Sequence, residues 1–136
     1  MVLDGDNLRH GLSRDLGFTA IEWVENTRRA AETARLMAEA GLVVIVSLIS
    51  PFQVERAAAR TIAGDISFLG IYVDTPLAFC EARDPKGLHA PAWAGAISDF
   101  TSISAAYEAP EALDRTTDHR RIADPLRVGF PRLARG

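Results

Sequence analysis

One run of apolar residues limits what this chain can fold into. Residues 42–49, LVVIVSLI, follow Gly41 and contain a single polar side chain. A continuous run rich in β-branched residues predicts a strand buried on both faces, as strands of parallel sheets are. The run ends at Ser50-Pro51, where the proline has no N–H to donate to a sheet. This stretch therefore favours a parallel α/β domain.

The segments around this run alternate between helix and strand patterns. Ala, Glu, Arg, Leu and Met dominate residues 24–40, and Gly41 supplies the helix stop. Ala30, Ala34 and Met37 share one helix face, and their small size suggests close packing against a sheet. Further patterns predict a helix over 54–62, a second buried strand over 68–73 and a helix from Pro76 to about Arg83. This order indicates a parallel sheet with right-handed crossovers.

A polar loop follows the apolar pair Val2-Leu3 near the start of the chain. Asp4-Gly5-Asp6-Asn7 is rich in turn-forming residues, because glycine and asparagine tolerate positive φ. Loops at the carboxyl ends of strands bind ligands in open α/β sheets. A polar turn with Asp6 or Asn7 as helix N-cap explains the same residues without a ligand. A second polar pair, Glu25-Asn26, is read as the entrance of the next helix.

Composition excludes several classes of function. The 136 residues suffice for one domain with a sizeable core, and the formal net charge of −3 offers no overall basic field for nucleic acid or anionic membranes. The single cysteine, Cys80, excludes an internal disulfide framework and a cysteine metal cluster. The longest apolar run is about half a membrane span, and no signal segment opens the chain. We expect a cytoplasmic protein.

The second half of the chain has no clear period. Residues 84–110 are rich in Ala, Ser and Gly, and a loop of this length is usually a functional lid or disordered. Residues 114–136 are rich in arginine and contain no convincing strand. We predict a poorly ordered tail there, with a short basic helix as the alternative.

Several motifs in a fixed order resemble the adenylylsulfate kinases. They are LDGDNLRHGL, DLGF, VENTRRAAETARLMAEAGLVVIVSLISPF, IYVDTPLAFCEARDPKGL, DFTSI and YEAPE. The resemblance implies a P-loop kinase-like, three-layer α/β/α fold over residues 1–113, with a lid at about 84–110 and the tail over 114–136. It also implies ATP-dependent phosphorylation of the 3′-hydroxyl of adenylyl sulfate, which gives 3′-phosphoadenylyl sulfate in sulfate assimilation.

The resemblance assigns roles to residues at both ends of the chain. Asp6 matches the carboxylate that takes the proton from the 3′-hydroxyl, and Arg9 matches a contact to adenylyl sulfate. Phe18 and Phe100 match two aromatic residues that sandwich the adenine, although core packing is the alternative for both. Thr101 follows Phe100 in the same substrate-binding motif.

Five further positions carry roles on the same basis. Asn26 matches a substrate-contacting amide, and Ile49-Ser50 matches a segment that lines the substrate. Ser50 is also treated in some family members as a phosphorylated, catalytic serine. Lys86 matches a lysine that reaches the phosphosulfate, and Arg83 lies in the region beside the ATP adenine. Helix capping, a Ser-Pro strand exit and a solvated loop lysine are the respective alternatives for Asn26, Ser50 and Lys86.

The sequence also departs from the family pattern. The family's glycine-rich phosphate loop, whose lysine and hydroxyl bind ATP and Mg²⁺, precedes the Asp-Gly-Asp-Asn loop, whereas this sequence starts at Met1 without it. A family arginine is Trp23 here, and the basic lid residues and a glycine-aspartate pair are replaced as well. The substituted positions are Ala90, Pro91, Trp93, Ser102 and Ser104.

These departures predict a family member truncated at its N-terminus. The family's first strand would lie between the strands predicted at 43–49 and 68–73, so we expect two unpaired strand edges and a marginally stable chain. We expect phosphoryl transfer by this chain alone to be impaired. The resemblance implies a homodimer or a sulfate adenylyltransferase subunit as partner. A non-catalytic module that binds adenylyl sulfate and a gene remnant are the alternatives.

Overall fold

Helices and strands alternate along the chain. The computed structural model describes residues 1–83, 107–110 and 115–117. The strands are β1 (Val2–Asp4), β2 (Ile45–Ser47), β3 (Ile71–Val73) and β4 (Arg115–Thr117). The helices are α1 (Gly5–His10), α2 (Ala20–Glu39), α3 (Gln53–Ala63) and α4 (Leu77–Arg83). Within these ranges no helix has the length and apolarity needed to cross a membrane. The predicted α/β class is confirmed.

The chain divides into two compact units, of which the first holds most of the described residues. It comprises Met1–Phe68 and Asp99–Ala109. In this unit β1 pairs in parallel with β2, with Val2 opposite Ile45 and Asp4 opposite Ser47. The charged amino group of Met1 donates to the carbonyl of Val43 at 2.7 Å and extends this pairing.

The predicted strand at 42–49 is confirmed in its central three residues, but its burial is not. Val46 is 41% exposed, and Ile49 is more exposed still. Among the described residues only β1 pairs with β2, so part of the apolar run remains without a covering strand. An apolar run predicts burial on both faces only when the neighbouring strands and helices that cover those faces are present.

Helix α2 begins earlier than predicted because its N-cap is Thr19. The Thr19 hydroxyl accepts from the N–H of Glu22, and the Glu22 carboxylate accepts from the N–H of Thr19, which together form a capping box. The prediction that Glu25-Asn26 opens the helix is therefore wrong. The stop at Gly41 is confirmed, because its φ of +86° closes the helix in the left-handed region that favours glycine.

Small residues of α2 pack on the first sheet, as predicted. The buried core consists of Leu3 from β1, Leu8 from α1 and Ala30 from α2, and Ala34 and Met37 pack against it. Each buried leucine contributes about 1.5–3 kcal/mol to folding. Because Ala30 is completely buried, a larger side chain there would separate the helix from the sheet.

The second unit comprises Leu69–Ser98 and Pro110–Gly136, and it contains a strand that the sequence pattern does not predict. Here β3 pairs in parallel with β4, with Ile71 opposite Arg115 and Val73 opposite Thr117. The prediction of no strand beyond residue 114 is thus wrong. Sheet pairing uses backbone groups that every residue carries, so a polar segment can complete it without an apolar pattern. The remainder of the predicted lid and tail lies outside the described residues.

The other predicted elements are close to their observed bounds. Helix α3 extends one residue beyond the prediction at each end, whereas β3 is limited to the last three residues of the predicted strand. Pro76 lies just before α4, and its carbonyl accepts from the N–H of Phe79 at 2.9 Å.

Candidate functional site

The predicted ligand loop lies at the carboxyl end of β1 and forms the start of α1. The Asp4 carboxylate accepts from the N–H groups of Asp6 at 3.1 Å and Asn7 at 3.4 Å. Asp4 is therefore the N-cap, and the prediction of Asp6 or Asn7 in that role is wrong. Asp6 is exposed on the first turn of the helix.

Close packing of Gly5 brings the start of α1 against the end of β2. A Cβ atom on Gly5 would lie 3.1 Å from the Leu48 side chain and 3.5 Å from the Ser47 carbonyl. Ile49 and Ser50 leave the sheet just beyond this contact, and Ser50 has a φ of +43°. Asp6 and Ser50 therefore follow neighbouring parallel strands at the same sheet edge, as loops of ligand sites do.

Arg9 and Phe18, two predicted substrate contacts, lie against each other. The Arg9 guanidinium carbon is 4.2 Å from the centroid of the Phe18 ring, which is a cation–π contact. The same guanidinium donates to the carbonyls of Leu16 at 3.3 Å and Gly17 at 2.6 Å. Phe18 is nevertheless 60% exposed, so much of its ring is available to a flat ligand.

The loop that carries Phe18 is also held by the first turn of α2. The Glu22 carboxylate accepts from the N–H of Gly17 at 2.8 Å and from the N–H and hydroxyl of Thr19 at 3.0 and 2.7 Å. These bonds, led by the one from the Thr19 hydroxyl, lower the pKa of Glu22. Glu22 is not among the predicted site residues, although Thr19-x-x-Glu22 has the spacing of a capping box, which is the signal that could have indicated it.

Ion pairs fasten the beginning of the same loop to α2. Arg29 binds both oxygens of Asp15, at 2.6 and 2.8 Å, and donates to the carbonyl of Leu12 at 2.9 Å. The hydrogen bond from Arg29 lowers the pKa of Asp15. Hydrogen bonds from Arg28 and then Arg29 lower the pKa of Glu25 to about 2.

A buried polar cluster joins α2 to α3. Glu55 is only 2% exposed, and its carboxylate accepts from the Thr27 hydroxyl at 3.0 Å and the Phe52 N–H at 2.9 Å. Burial raises the pKa of Glu55 despite these two bonds. Asn26 is 6% exposed, and its side-chain oxygen has no hydrogen-bond partner among the described residues. Trp23 is buried beside Phe52, with ring centroids 6.4 Å apart.

Arg56 connects Ser50 to the short segment 107–109. Its guanidinium donates to the Ser50 carbonyl at 2.6 Å and to the Glu108 carbonyl at 2.5 Å. The Glu108 carboxylate in turn accepts from the N–H of Gln53 at 2.6 Å, and the Glu108 N–H donates to the Pro51 carbonyl at 2.9 Å. The Arg56 guanidinium and the segment 107–109, neither of which belongs to the sheet, thus hold the backbone at Ser50 in its left-handed conformation.

The remaining predicted site residues lie in the second unit or outside the described residues. Arg83 ends α4 in the second unit and is exposed. Lys86, Phe100 and Thr101 lie outside the described residues. Within the described part of the chain, no three His, Cys, Asp or Glu side chains are grouped to hold a metal ion. We therefore assign no ligand of Mg²⁺.

A parallel α/β fold with polar loops at the carboxyl edge of its strands is typical of nucleotide-binding proteins. The sequence profile described as "Adenylylsulphate kinase" matches residues 1–123. The chain belongs to the adenylylsulfate kinase family.

Individual relatives support this assignment at high identity. The "Bifunctional enzyme NodQ" of Rhizobium tropici is 62% identical over 110 residues, which cover 81% of this chain and 17% of that protein. An "Adenylyl-sulfate kinase" of Klebsiella pneumoniae is 50% identical over 125 residues, which cover 92% of this chain and 62% of that protein. The chain thus spans less than two thirds of the length of these curated relatives.

A solved structure supports the P-loop kinase-like fold. It is the Mycobacterium tuberculosis APS kinase CysC in complex with AMPPNP and APS, at 44% identity and a TM-score of 0.88. The match covers 99% of this chain and 79% of that one.

Proposed function

We propose that the chain carries the adenylyl-sulfate-binding part of an adenylylsulfate kinase, which phosphorylates the 3′-hydroxyl of adenylyl sulfate with ATP. The observation that carries this proposal is the exposed Phe18 ring stacked on Arg9 beside the Asp-Gly-Asp-Asn loop. The similarity to a structure with bound AMPPNP and APS supports it further.

Phe18 is the stacking surface for the adenine in this proposal. Aromatic rings bind flat bases over their faces, and the Arg9 guanidinium at 4.2 Å covers part of the Phe18 ring. The positive charge of Arg9 also suits an anionic ligand. Asn26 and Ile49 contribute an amide and an apolar wall, and Phe100, Thr101 and Lys86 complete the set proposed for the acceptor.

Asp6 is the proposed general base. The 3′-hydroxyl oxygen forms a bond to the γ-phosphorus of ATP, the bond from that phosphorus to the β–γ bridging oxygen breaks, and the hydroxyl proton passes to the Asp6 carboxylate. The products are 3′-phosphoadenylyl sulfate and ADP. Ser50, at the neighbouring strand end, is proposed as a further catalytic or phosphorylated residue, and Arg83 as a contact to the ATP adenine.

The requirement for ATP with Mg²⁺ belongs to the proposal and comes from the family. Mg²⁺ would neutralise charge on the transferred phosphate. Because no metal ligand is assigned among the described residues, no step is derived through the ion. A homodimer or a sulfate adenylyltransferase subunit as partner, and a cytoplasmic location, are proposed on the same basis.

Calorimetric titration of the chain with adenylyl sulfate tests the proposal. We expect saturable binding that Phe18→Ala weakens by roughly fivefold to a hundredfold, since stacking on an aromatic side chain is worth about 1–3 kcal/mol per base. Phe68→Ala is a matched control, because Phe68 also packs under an arginine, with Arg60 4.6 Å from its ring centroid. Equal affinity in the Phe18→Ala variant would contradict the stacking role.

A turnover assay separates a kinase from a module that only binds. The chain is incubated with ATP, Mg²⁺ and adenylyl sulfate, and 3′-phosphoadenylyl sulfate is quantified. We expect Asp6→Asn to abolish any product formation while it preserves adenylyl sulfate binding. Binding without turnover in the unchanged chain would favour the non-catalytic module.

A further inference from the structure

We infer that Glu22 is a positioning residue for adenylyl sulfate, which fixes Phe18 in its stacking orientation without touching the ligand. This inference rests on the proposed function. It assigns to Glu22 a role beyond the capping of α2, because the contacts of its carboxylate extend past the helix into the loop that presents Phe18.

Both peptide groups that flank the Cα atom of Phe18 are bonded to charged side chains. On the N-terminal side, the Gly17 carbonyl accepts from Arg9 at 2.6 Å. On the C-terminal side, the Thr19 N–H donates to Glu22 at 3.0 Å. These two peptide planes determine φ and ψ of Phe18, and hydrogen bonds to charged groups are the stronger kind. The backbone that carries the exposed ring is thereby clamped between a cation and an anion.

The Glu22 carboxylate also binds the backbone of Gly17, the residue before Phe18. Glu22 accepts from the N–H of Gly17 at 2.8 Å, five residues earlier in the chain and outside an ordinary capping box. The carboxylate lies so close that a Cβ on Gly17 would be 2.9 Å from one of its oxygens. A side chain at position 17 would therefore displace the Glu22 carboxylate from the loop.

A positioned ring matters because Phe18 is 60% exposed. Little packing surrounds the ring, so its orientation depends on the backbone bonds and on Arg9. If the Phe18 ring is already held in its stacking orientation, a base can bind without ordering the loop. The conformational entropy cost of binding is then smaller. Glu22 accordingly affects ligand affinity through Phe18 alone.

Two experiments on the full chain test this inference, with Glu22→Gln as the test variant. The amide retains one acceptor oxygen and cannot serve all three donors. Glu32→Gln is the matched control, because Glu32 is also a carboxylate of α2 and pairs with Arg35 at 3.4 Å, away from the loop. Cleavage by chymotrypsin after Phe18, followed by mass spectrometry, reports the mobility of the loop without a ligand. We expect roughly fivefold to tenfold faster cleavage in Glu22→Gln only; equal rates in both variants would overturn the inference.

A double-mutant cycle then separates positioning from general stability. We expect Glu22→Gln to weaken adenylyl sulfate binding roughly fivefold to tenfold, and to have no further effect when Phe18→Ala is already present. An equal loss in both backgrounds would show that Glu22 is merely structural and would overturn the inference. If the unchanged chain binds no adenylyl sulfate, the proposed function is overturned, and the cleavage rates alone decide whether Glu22 fixes Phe18.

Discussion

The buried carboxylate of Glu55 provides a quantitative test of how α2 and α3 are joined. Glu55→Ala removes the acceptor of two hydrogen bonds, from Thr27 at 3.0 Å and from the Phe52 N–H at 2.9 Å. Hydrogen bonds to a charged group contribute about 1.5–3 kcal/mol each, and relief of the carboxylate's burial offsets part of their sum. We therefore expect a net loss of about 2–4 kcal/mol in the free energy of unfolding.

Urea denaturation at neutral pH, followed by circular dichroism, measures this loss. Glu32→Ala serves as the control, because its partly exposed ion pair with Arg35 should contribute less than about 1 kcal/mol. A loss below about 1 kcal/mol for Glu55→Ala, or one no larger than the control's, would refute the reasoning. It would mean that Thr27 and Phe52 find other partners at little cost.

The pH dependence of the same site has a definite sign. Burial raises the folded-state pKa of Glu55 above its usual 4.5, so the folded chain binds the proton more tightly than the unfolded chain. Its contribution to stability therefore increases as the pH falls through the folded-state pKa and is complete below 4.5. The free energy of unfolding of the wild type, relative to that of Glu55→Gln, should therefore increase as the pH is lowered from 7 to about 4. A constant difference over that range would contradict the assigned burial effect.

Two further predictions concern charged side chains around the site. Arg56→Ala should destabilise the chain by about 1–3 kcal/mol in urea denaturation, since it removes charged hydrogen bonds to two carbonyls; an unchanged midpoint would contradict this. The pKa of Glu25 is lowered to about 2 by Arg28 and Arg29, so its stabilisation is complete above 4.5 and lost as the pH falls from there to about 2. The stability difference between the wild type and Glu25→Gln should shrink over that acidic range, and a difference independent of pH would refute the ion-pair assignment.

Local patterns predicted the order of the elements and the family. The apolar run before Ser50-Pro51 contains β2, Gly41 ends α2, and Ala30 packs on the sheet, because each depends on residues close together in the chain. Motifs such as Asp-Gly-Asp-Asn and DLGF were sufficient to indicate an adenylylsulfate kinase, and the match over residues 1–123 agrees. The capping box of Thr19 and Glu22 is also encoded locally, by the three-residue spacing of a threonine and a glutamate.

Other features depend on groups that the chain brings together only when folded. The pairing of β4 with β3 uses backbone atoms from Arg115 and Ile71, far apart in sequence, and no side-chain pattern encodes it. The burial of Glu55 likewise follows from α2 crossing α3, since a glutamate in a helix is usually solvated.

The contact of Arg9 with Phe18 depends both on the local sequence and on the tertiary fold. A cation and an aromatic ring that follow the polar loop after β1 can be read from the sequence alone, because these residue types and their spacing are local. The position of the guanidinium, 4.2 Å from the ring centroid and bonded to the Gly17 carbonyl, exists only in the folded chain. This is because α1, α2 and the loop between them must pack together before the charges of Arg9 and Glu22 can both bind the backbone around Phe18.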